Sequence, residues 1–230
     1  MLKLEQVLIT QGSFSLRADM SIEPQKKYAV IGPSGAGKST LLGALCGFAP
    51  ITEGRLMWQG RDITNDAPGA RPMTMLFQDN NLFPHLSILQ NVGLGLRRDM
   101  RLTASDKADV ERALSRVGLA EMADRKPGSL SGGQQSRAAL ARVLVQARPL
   151  VLLDEPFAAL GPALRNEMLD LVQQLVTETH ASLIMVTHDP KDVARIADEV
   201  IFVAGGIAHA PQPAKALMDN PPAELRSYLG

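Results

Sequence analysis

The sequence predicts an α/β fold with a mainly parallel sheet. Short apolar runs, typical of strands buried on both faces, alternate along the chain with longer stretches of helical periodicity. A glycine-rich loop separates one such run from one such stretch. The chain has 230 residues, 45% of them hydrophobic and 21% charged, which allows one domain of generous size with a substantial core.

The N-terminal region is predicted to form an antiparallel pair of strands. Residues 14–22 alternate apolar and polar side chains, which indicates a half-buried strand, and residues 2–10 pair with it through a turn near Gly12. Residues 28–31 form a short apolar run that suits a buried parallel strand. A helix is predicted to follow from about residue 38 to residue 48.

The middle of the chain changes character after two further strands, predicted at residues 55–59 and 73–77. From there to about residue 130 the pattern indicates helices and loops. Thr103 has the features of a helix N-cap with Asp106 at the third helical position, and Gly118 those of a C-terminal cap. These signals predict a helical insert in an α/β frame.

Strands and helices alternate again in the remainder of the chain. The predicted elements are a helix at 132–147, a strand at 150–153, a helix from Pro162, a strand at 182–187, a helix from Pro190 and a hairpin around Gly205-Gly206. We therefore expect a single domain over residues 1–230. Its core comprises residues 1–78 and 131–230, with a helical subdomain at 79–130.

The glycine-rich loop at residues 32–39 reads Gly-Pro-Ser-Gly-Ala-Gly-Lys-Ser, a spacing that wraps backbone N–H groups around a nucleotide's phosphates. Lys38 would reach the β and γ phosphates, and the Ser39 hydroxyl would bind Mg²⁺. The order of strand, loop and helix disfavours the alternative, an ordinary glycine-rich turn. The predicted nucleotide-binding residues here are Gly32, Pro33, Ser34, Gly35, Ala36, Gly37, Lys38, Ser39 and Thr40.

Two carboxylates follow the apolar run 150–153. Asp154, at a predicted strand end, could bind Mg²⁺ through water, and Glu155 would then polarise an attacking water. The alternative is a capping or surface pair of carboxylates, which the neighbouring phosphate loop disfavours.

A second glycine-bearing stretch, residues 130–134, reads Leu-Ser-Gly-Gly-Gln and precedes a predicted helix. Ser131 suits an N-cap, so its hydroxyl and the free backbone N–H groups could form another anion site. A plain helix start remains the alternative. The candidate binding residues are Ser131, Gly132, Gly133 and Gln134.

Composition narrows the classes of partner. Lys+Arg and Asp+Glu are both 24, and a nucleic-acid binder would show a basic excess, so we expect no nucleic-acid partner. The single cysteine, Cys46, cannot form an internal disulfide. We find no signal-peptide pattern and no run of the length that spans a bilayer, so any membrane role requires a partner.

The phosphate loop, residues 130–134, the Asp-Glu-Pro sequence 154–156 and a later His188 at a predicted strand end together resemble the ATPase subunit of ABC transporters. The resemblance covers essentially the whole chain. It implies the P-loop nucleoside triphosphate hydrolase fold of ABC ATPase type, with an antiparallel β subdomain, an inserted helical subdomain, and ATP and Mg²⁺ as ligands.

The resemblance also assigns roles by matching position. Gln78 corresponds to the glutamine that senses Mg²⁺ and the attacking water, and His188 to the histidine that contacts the γ-phosphate. The expected catalytic residues are therefore Glu155, His188, Gln78 and Lys38. The expected Mg²⁺ residues are Ser39, Gln78 and Asp154.

A narrower resemblance concerns the transported solute. Residues 75–86, 90–96, 154–160 and 162–165 resemble the ATP-binding subunits of thiamine importers within the family. Importers of ferric iron, polyamines, sulfate or molybdate share much of this pattern. A soluble ABC ATPase without a transport role and a nucleotide-binding module without catalysis are the remaining alternatives.

The resemblance further implies an assembly. Two copies would meet head to tail, with ATP between the phosphate loop of one and residues 131–134 of the other. Residues 79–86 would receive a helix of a separate permease, which in turn works with an extracytoplasmic solute-binding protein. The subunit is then expected at the cytoplasmic face of the inner membrane as a peripheral protein.

Two positions depart from the family pattern. Gln11 stands near the place of an aromatic ring that stacks on adenine, and Phe14 follows three residues later in a different register. Gly161 stands where the family has an aspartate that helps couple the two ATP sites of the dimer.

Overall fold

A computed structural model describes residues 1–79, 81–222 and 224–226. Its strands are β1 (Leu2–Gln11), β2 (Phe14–Ile22), β3 (Lys27–Ile31), β4 (Glu53–Trp58), β5 (Arg61–Asp62), β6 (Met73–Leu76), β7 (Leu150–Asp154), β8 (Ser182–Val186), β9 (Glu199–Ala204), β10 (Ile207–Ala208) and β11 (Gln212–Pro213). Its α-helices are α1 (Lys38–Cys46), α2 (Ile88–Gly93), α3 (Ala104–Arg116), α4 (Gly132–Leu144), α5 (Pro162–Glu178), α6 (Pro190–Ile196) and α7 (Ala214–Asp219).

The centre of the fold is a parallel sheet in the order β9-β3-β8-β7-β6. Every residue of β7 and β8 is buried, as expected for parallel strands with helices on both faces. The predicted parallel sheet is confirmed.

An antiparallel group, β5-β4-β1-β2, extends the sheet on one side. The short strand β10 joins the two parts, since it pairs in parallel with β2 and antiparallel with β9. The predicted antiparallel group is confirmed. Because of β10, it forms one continuous sheet with the parallel strands.

The helices of the insert pack mainly through α4. Side chains of α2 and α3, among them Ile88, Val92 and Leu114, share one core cluster with residues of α4, β7 and α5. A capping box fixes the start of α3, where the Thr103 hydroxyl accepts from the Asp106 N–H and the Asp106 carboxylate accepts from the Thr103 N–H. Helix α4 therefore connects the insert to the sheet.

Most predicted elements are confirmed within a few residues. Helix α1 ends at Cys46, two residues before the predicted end, because Gly47 adopts a left-handed conformation with φ 85°. Helices α2 and α7 and the two-residue strands were not predicted singly, since so few residues carry little periodic signal. Within the described residues, no helix is both long enough and apolar enough to cross a bilayer.

Candidate functional site

The carboxyl ends of four parallel strands bring the predicted chemistry to one edge of the sheet. Strand β3 leads into the phosphate loop, β6 into Gln78, β7 into Asp154 and Glu155, and β8 into His188. In an open α/β sheet this edge is where ligands bind. Four separate stretches of sequence thus converge on one candidate site.

Close packing of the backbone explains two glycines of the phosphate loop. Gly32 has φ 150°, and a Cβ there would lie 2.0 Å from the carbonyl oxygen of Val203. Gly37 has φ 102°, and a Cβ there would lie 2.5 Å from Cζ of Phe14. A side chain at Gly32 would therefore collide with backbone, and one at Gly37 would push the Phe14 ring and strain the left-handed backbone.

The same contact shows where the two candidate aromatic positions lie. Gln11 is exposed and pairs with Phe14 across the β1–β2 turn. The ring of Phe14 is half-buried and packs against the phosphate loop at Gly37. Phe14 therefore packs against the phosphate loop. Whether either side chain contacts adenine stays a prediction.

Lys38, the first residue of α1, is 8% exposed. Its ammonium donates to the carbonyl oxygens of Gly32 at 2.8 Å and Pro33 at 2.9 Å, so the side chain folds back along the loop. Burial lowers the pKa of Lys38, and the charges of Glu155 and Asp154 oppose that shift. The ammonium thus lies against the backbone of the first two residues of the loop.

The neighbouring Ser39 donates from its hydroxyl to Oδ1 of Asp154 at 3.0 Å. Asp154 is 8% exposed, and burial raises the pKa of its carboxyl while the Ser39 hydrogen bond and the charge of Lys38 lower it. The structure therefore joins two of the three residues predicted to hold Mg²⁺. A bound cation would stabilise the ionised form of this buried carboxylate.

Glu155 lies beside His188. Its Oε2 is 3.2 Å from the His188 Nδ1, and the two side chains are 24% and 52% exposed respectively. The Glu155 backbone has φ 44° and its N–H donates to the Val186 carbonyl oxygen at 3.2 Å. Left-handed backbone at a residue other than glycine is uncommon and costs free energy, which is typical of functional positions.

Gln78 follows β6 in an exposed turn. Strand β6 pairs with β7 up to Leu76 and Leu153, so Gln78 and Asp154 follow adjacent strand ends. The structure brings the third predicted Mg²⁺ residue to the same edge. Its side chain faces solvent.

Residues 131–134 form the capped start of α4. The Ser131 hydroxyl accepts from the Gln134 N–H and the Gln134 Oε1 accepts from the Ser131 N–H, a complete capping box. Gly133 is buried against Leu164, whereas Gly132 is exposed, and a Cβ there would meet nothing within 4 Å. In the described part of the chain, the hydrogen bonds of this capping box stay within the start of α4.

Sequence reasoning missed a buried ion pair behind His188. Arg165 on α5 contacts Asp192 on α6, and Thr187 bonds with both. On their own helices these charged residues have the pattern of a solvated face. Only the packing of α5 against α6 reveals the pair.

Gly161 is the N-cap of α5, with φ −63° and ψ 157° and no side-chain cap. A Cβ there would meet nothing within 4 Å. We expect Gly161→Asp to raise the free energy of unfolding by about 0.5–1 kcal/mol, because it adds a cap and restricts the unfolded chain. It should also change the Hill coefficient for ATP hydrolysis more than the Kd for ATP.

Gly161→Ala is the matched control, because it removes the glycine without adding a carboxylate. Urea unfolding measures the first effect, and steady-state turnover of the assembled protein measures the second. An unaltered Hill coefficient in Gly161→Asp would contradict the coupling role of this position.

Strand, phosphate loop and helix in this order, with a strand-end Asp-Glu pair beside them, define a P-loop nucleoside triphosphate hydrolase fold. Comparison with known proteins gives the family: residues 16–158 match the ABC transporter family. The chain belongs to the ABC transporter family, as the ATP-binding subunit, and has the ABC ATPase fold.

Similar curated proteins extend over the whole chain. This chain is 57% identical over 230 residues to a protein named thiamine import ATP-binding protein ThiQ from Ruegeria sp. (strain TM1040), with 100% of both chains covered. A protein of the same name from Yersinia pseudotuberculosis serotype I (strain IP32953) is 45% identical, with 100% of this chain and 97% of that one covered.

Solved structures agree on the fold. A dimeric, post-hydrolysis state of the ATP-binding cassette MJ0796, bound to ADP and Pi, has TM-score 0.79 and 29% identity, with 93% of this chain and 99% of that chain covered. A nucleotide-free cassette from an ABC transporter has TM-score 0.89 and 23% identity, with 100% and 99% covered.

Proposed function

We propose that this chain is the ATP-hydrolysing subunit of a thiamine importer and that it couples ATP binding and hydrolysis to uptake through a separate permease. The observation that carries the thiamine assignment is 57% identity over the full length of a thiamine import ATP-binding protein. The observation that supports hydrolysis is Glu155 at 3.2 Å from His188, beside the phosphate loop.

In the proposed mechanism, different groups of this chain bind the phosphates and activate the attacking water. Backbone N–H groups of the loop and the start of α1 bind the phosphates, and the Lys38 ammonium leaves its carbonyl partners for the β and γ oxygens. Glu155 orients the attacking water and takes its proton. His188 contacts the γ-phosphate on the other side and keeps Glu155 in place.

The residues present also fit Mg²⁺. Bound there, the ion would neutralise charge that develops on the phosphates. Ser39, Gln78 and Asp154 supply oxygens, the donors that Mg²⁺ prefers. The described residues contain no group of three or more His, Cys, Asp or Glu side chains that could hold a metal ion.

The proposed assembly is a head-to-tail dimer. Residues 131–134 present a helix N-terminus with Gly132 exposed, and a shared ATP site requires such an anion-binding surface on the partner copy. The MJ0796 cassette, a structural neighbour, is dimeric. In this proposal each ATP lies between the loop of one copy and Ser131, Gly132, Gly133 and Gln134 of the other.

The permease would contact the surface around residues 79–86, of which Asn80 lies outside the described residues. Phe83 is 46% exposed there, and Phe48, at 59%, packs its ring 5.5 Å from that of Phe77. The buried Asn91 holds this loop, since its amide group accepts from the Phe83 N–H and donates to the Phe83 carbonyl. An exposed aromatic surface on a loop bonded to Asn91 suits a partner helix. Contact with the permease would hold the subunit at the cytoplasmic face of the inner membrane.

The proposal is tested by solute-stimulated hydrolysis. We expect thiamine, presented with the solute-binding protein, to raise ATP turnover by the complex of this chain with its permease in proteoliposomes. Ferric iron, a polyamine, sulfate and molybdate serve as comparison solutes. If one of these solutes raises ATP turnover and thiamine does not, that solute is the transported one. If the permease does not change ATP turnover at all, a soluble ATPase is favoured.

A further inference from the structure

The contact between Glu155 and His188 depends on how the segment after β8 is held. The His188 side chain is 52% exposed. Directly behind it lies the ion pair of Arg165 and Asp192, whose side chains are 15% and 7% exposed.

Arg165, in the first turn of α5, donates through Nε to Oδ2 of Asp192 at 3.2 Å and also through Nη2. The same Oδ2 accepts from the hydroxyl of Thr187 at 2.6 Å. Arg165 Nη2 also donates to that hydroxyl oxygen at 3.3 Å. Three side chains from α5, α6 and the end of β8 thus form one closed network.

The network holds the backbone on both sides of His188. Thr187 precedes it and is 2% exposed, and its hydroxyl oxygen accepts from the Asp189 N–H at 3.1 Å. The Arg165 guanidinium also lies 3.5 Å from Oδ2 of Asp189. A cavity of about 10 Å³, room for roughly one water, is lined by Glu155, Arg165, His188 and Asp192 among others. The network and the Glu155–His188 contact therefore border the same small space.

A buried ion pair is weak as a source of stability, because desolvation offsets the attraction. It does give one fixed geometry, since the planar guanidinium can bond several acceptors at once. A pair in this place suits control of geometry better than control of stability.

We propose that Arg165 is a positioning residue for ATP hydrolysis. By bonding Asp192, Thr187 and Asp189 together, it holds the His188 segment so that the imidazole remains beside Glu155. Arg165 lies in the first turn of the helix that Gly161 caps, so movement of α5 would shift His188 directly. This inference rests on the proposed hydrolytic function.

A second ion pair offers a matched control. Arg195 donates through Nε and Nη2 to the two carboxylate oxygens of Asp170 at 2.7 and 2.6 Å, and it joins the same two helices. These side chains are 40% and 56% exposed. Arg195→Met removes a link between α5 and α6 without touching the His188 segment.

The test uses full-length protein with Mg-ATP, and measures kcat, the Kd for ATP and the urea midpoint of each variant. Arg165→Met leaves the buried Asp192 carboxylate without its main partner and is expected to destabilise the fold. We therefore add Arg165→Met/Asp192→Leu, which replaces the pair by apolar side chains, and Thr187→Val, which keeps the pair and removes the hydrogen bonds of the Thr187 hydroxyl to Arg165, Asp192 and the Asp189 N–H.

For the double variant we expect kcat to fall about 10- to 100-fold, the effect of slight misplacement at a reacting centre, with the Kd for ATP changed by less than about twofold. The kcat of Thr187→Val should also fall. Arg165→Lys should recover part of the loss, and Arg195→Met should retain wild-type kcat.

The proposal is overturned if the double variant or Thr187→Val folds and keeps wild-type kcat. It is also overturned if kcat follows the urea midpoint equally in all variants, including Arg195→Met, since the role would then be structural. If the wild-type protein hydrolyses no ATP, either alone or with its permease, the proposed function itself is overturned.

Discussion

Glu155→Gln is expected to lower ATP turnover by about 10²–10⁴-fold, the usual contribution of a general base, while ATP binding is retained. Gln has the same shape and still offers an oxygen to the His188 Nδ1, which lies 3.2 Å from the carboxylate in the native protein. It cannot take a proton from water. Hydrolysis then stops after nucleotide binding, and the closed dimer should accumulate.

Steady-state turnover, equilibrium binding of ATP and size-exclusion chromatography with and without Mg-ATP measure these effects. Glu111→Gln is the control, because Glu111 is an exposed residue of α3 away from the sheet edge, and we expect wild-type turnover. Unchanged turnover in Glu155→Gln would overturn the assignment of Glu155 as the base.

The sequence alone predicts the residues at the sheet edge, because parallel strands end together. A motif placed between a buried strand and a helix predicts the position of Lys38, and an apolar run ending in two carboxylates predicts that of Asp154. The structure adds the hydrogen bond between Ser39 and Asp154, which are 115 positions apart in the chain and meet at this edge.

Contacts between distant side chains were beyond sequence reasoning. The pairing of Glu155 with His188 depends on the register of β7 with β8, in which Asp154 lies opposite Val186. The ion pair of Arg165 with Asp192 depends on the packing of α5 against α6. Neither relation produces a periodic pattern along the chain, so the residues could be predicted singly and their contacts could not.

The largest remaining inference is that each ATP site is shared between two copies, and a mixing experiment tests it. Lys38→Met removes the buried ammonium of the loop and keeps an apolar side chain of similar length. Gly132→Asp adds an exposed carboxylate in the first turn of α4, where a Cβ meets nothing within 4 Å. Negative charge there favours the helix, so the variant should fold, and it repels a γ-phosphate from the partner.

Each variant alone has one defect in every shared site, and we expect turnover at least about a hundredfold below wild type. In a mixed dimer, both defects meet in one site and the other site is intact. Equal mixing gives half mixed dimers, so activity should return to about a quarter of the wild-type level if the two sites act independently. Turnover that stays at the sum of the two separate variants, although mixed dimers form, would show that residues 131–134 do not serve the partner's ATP.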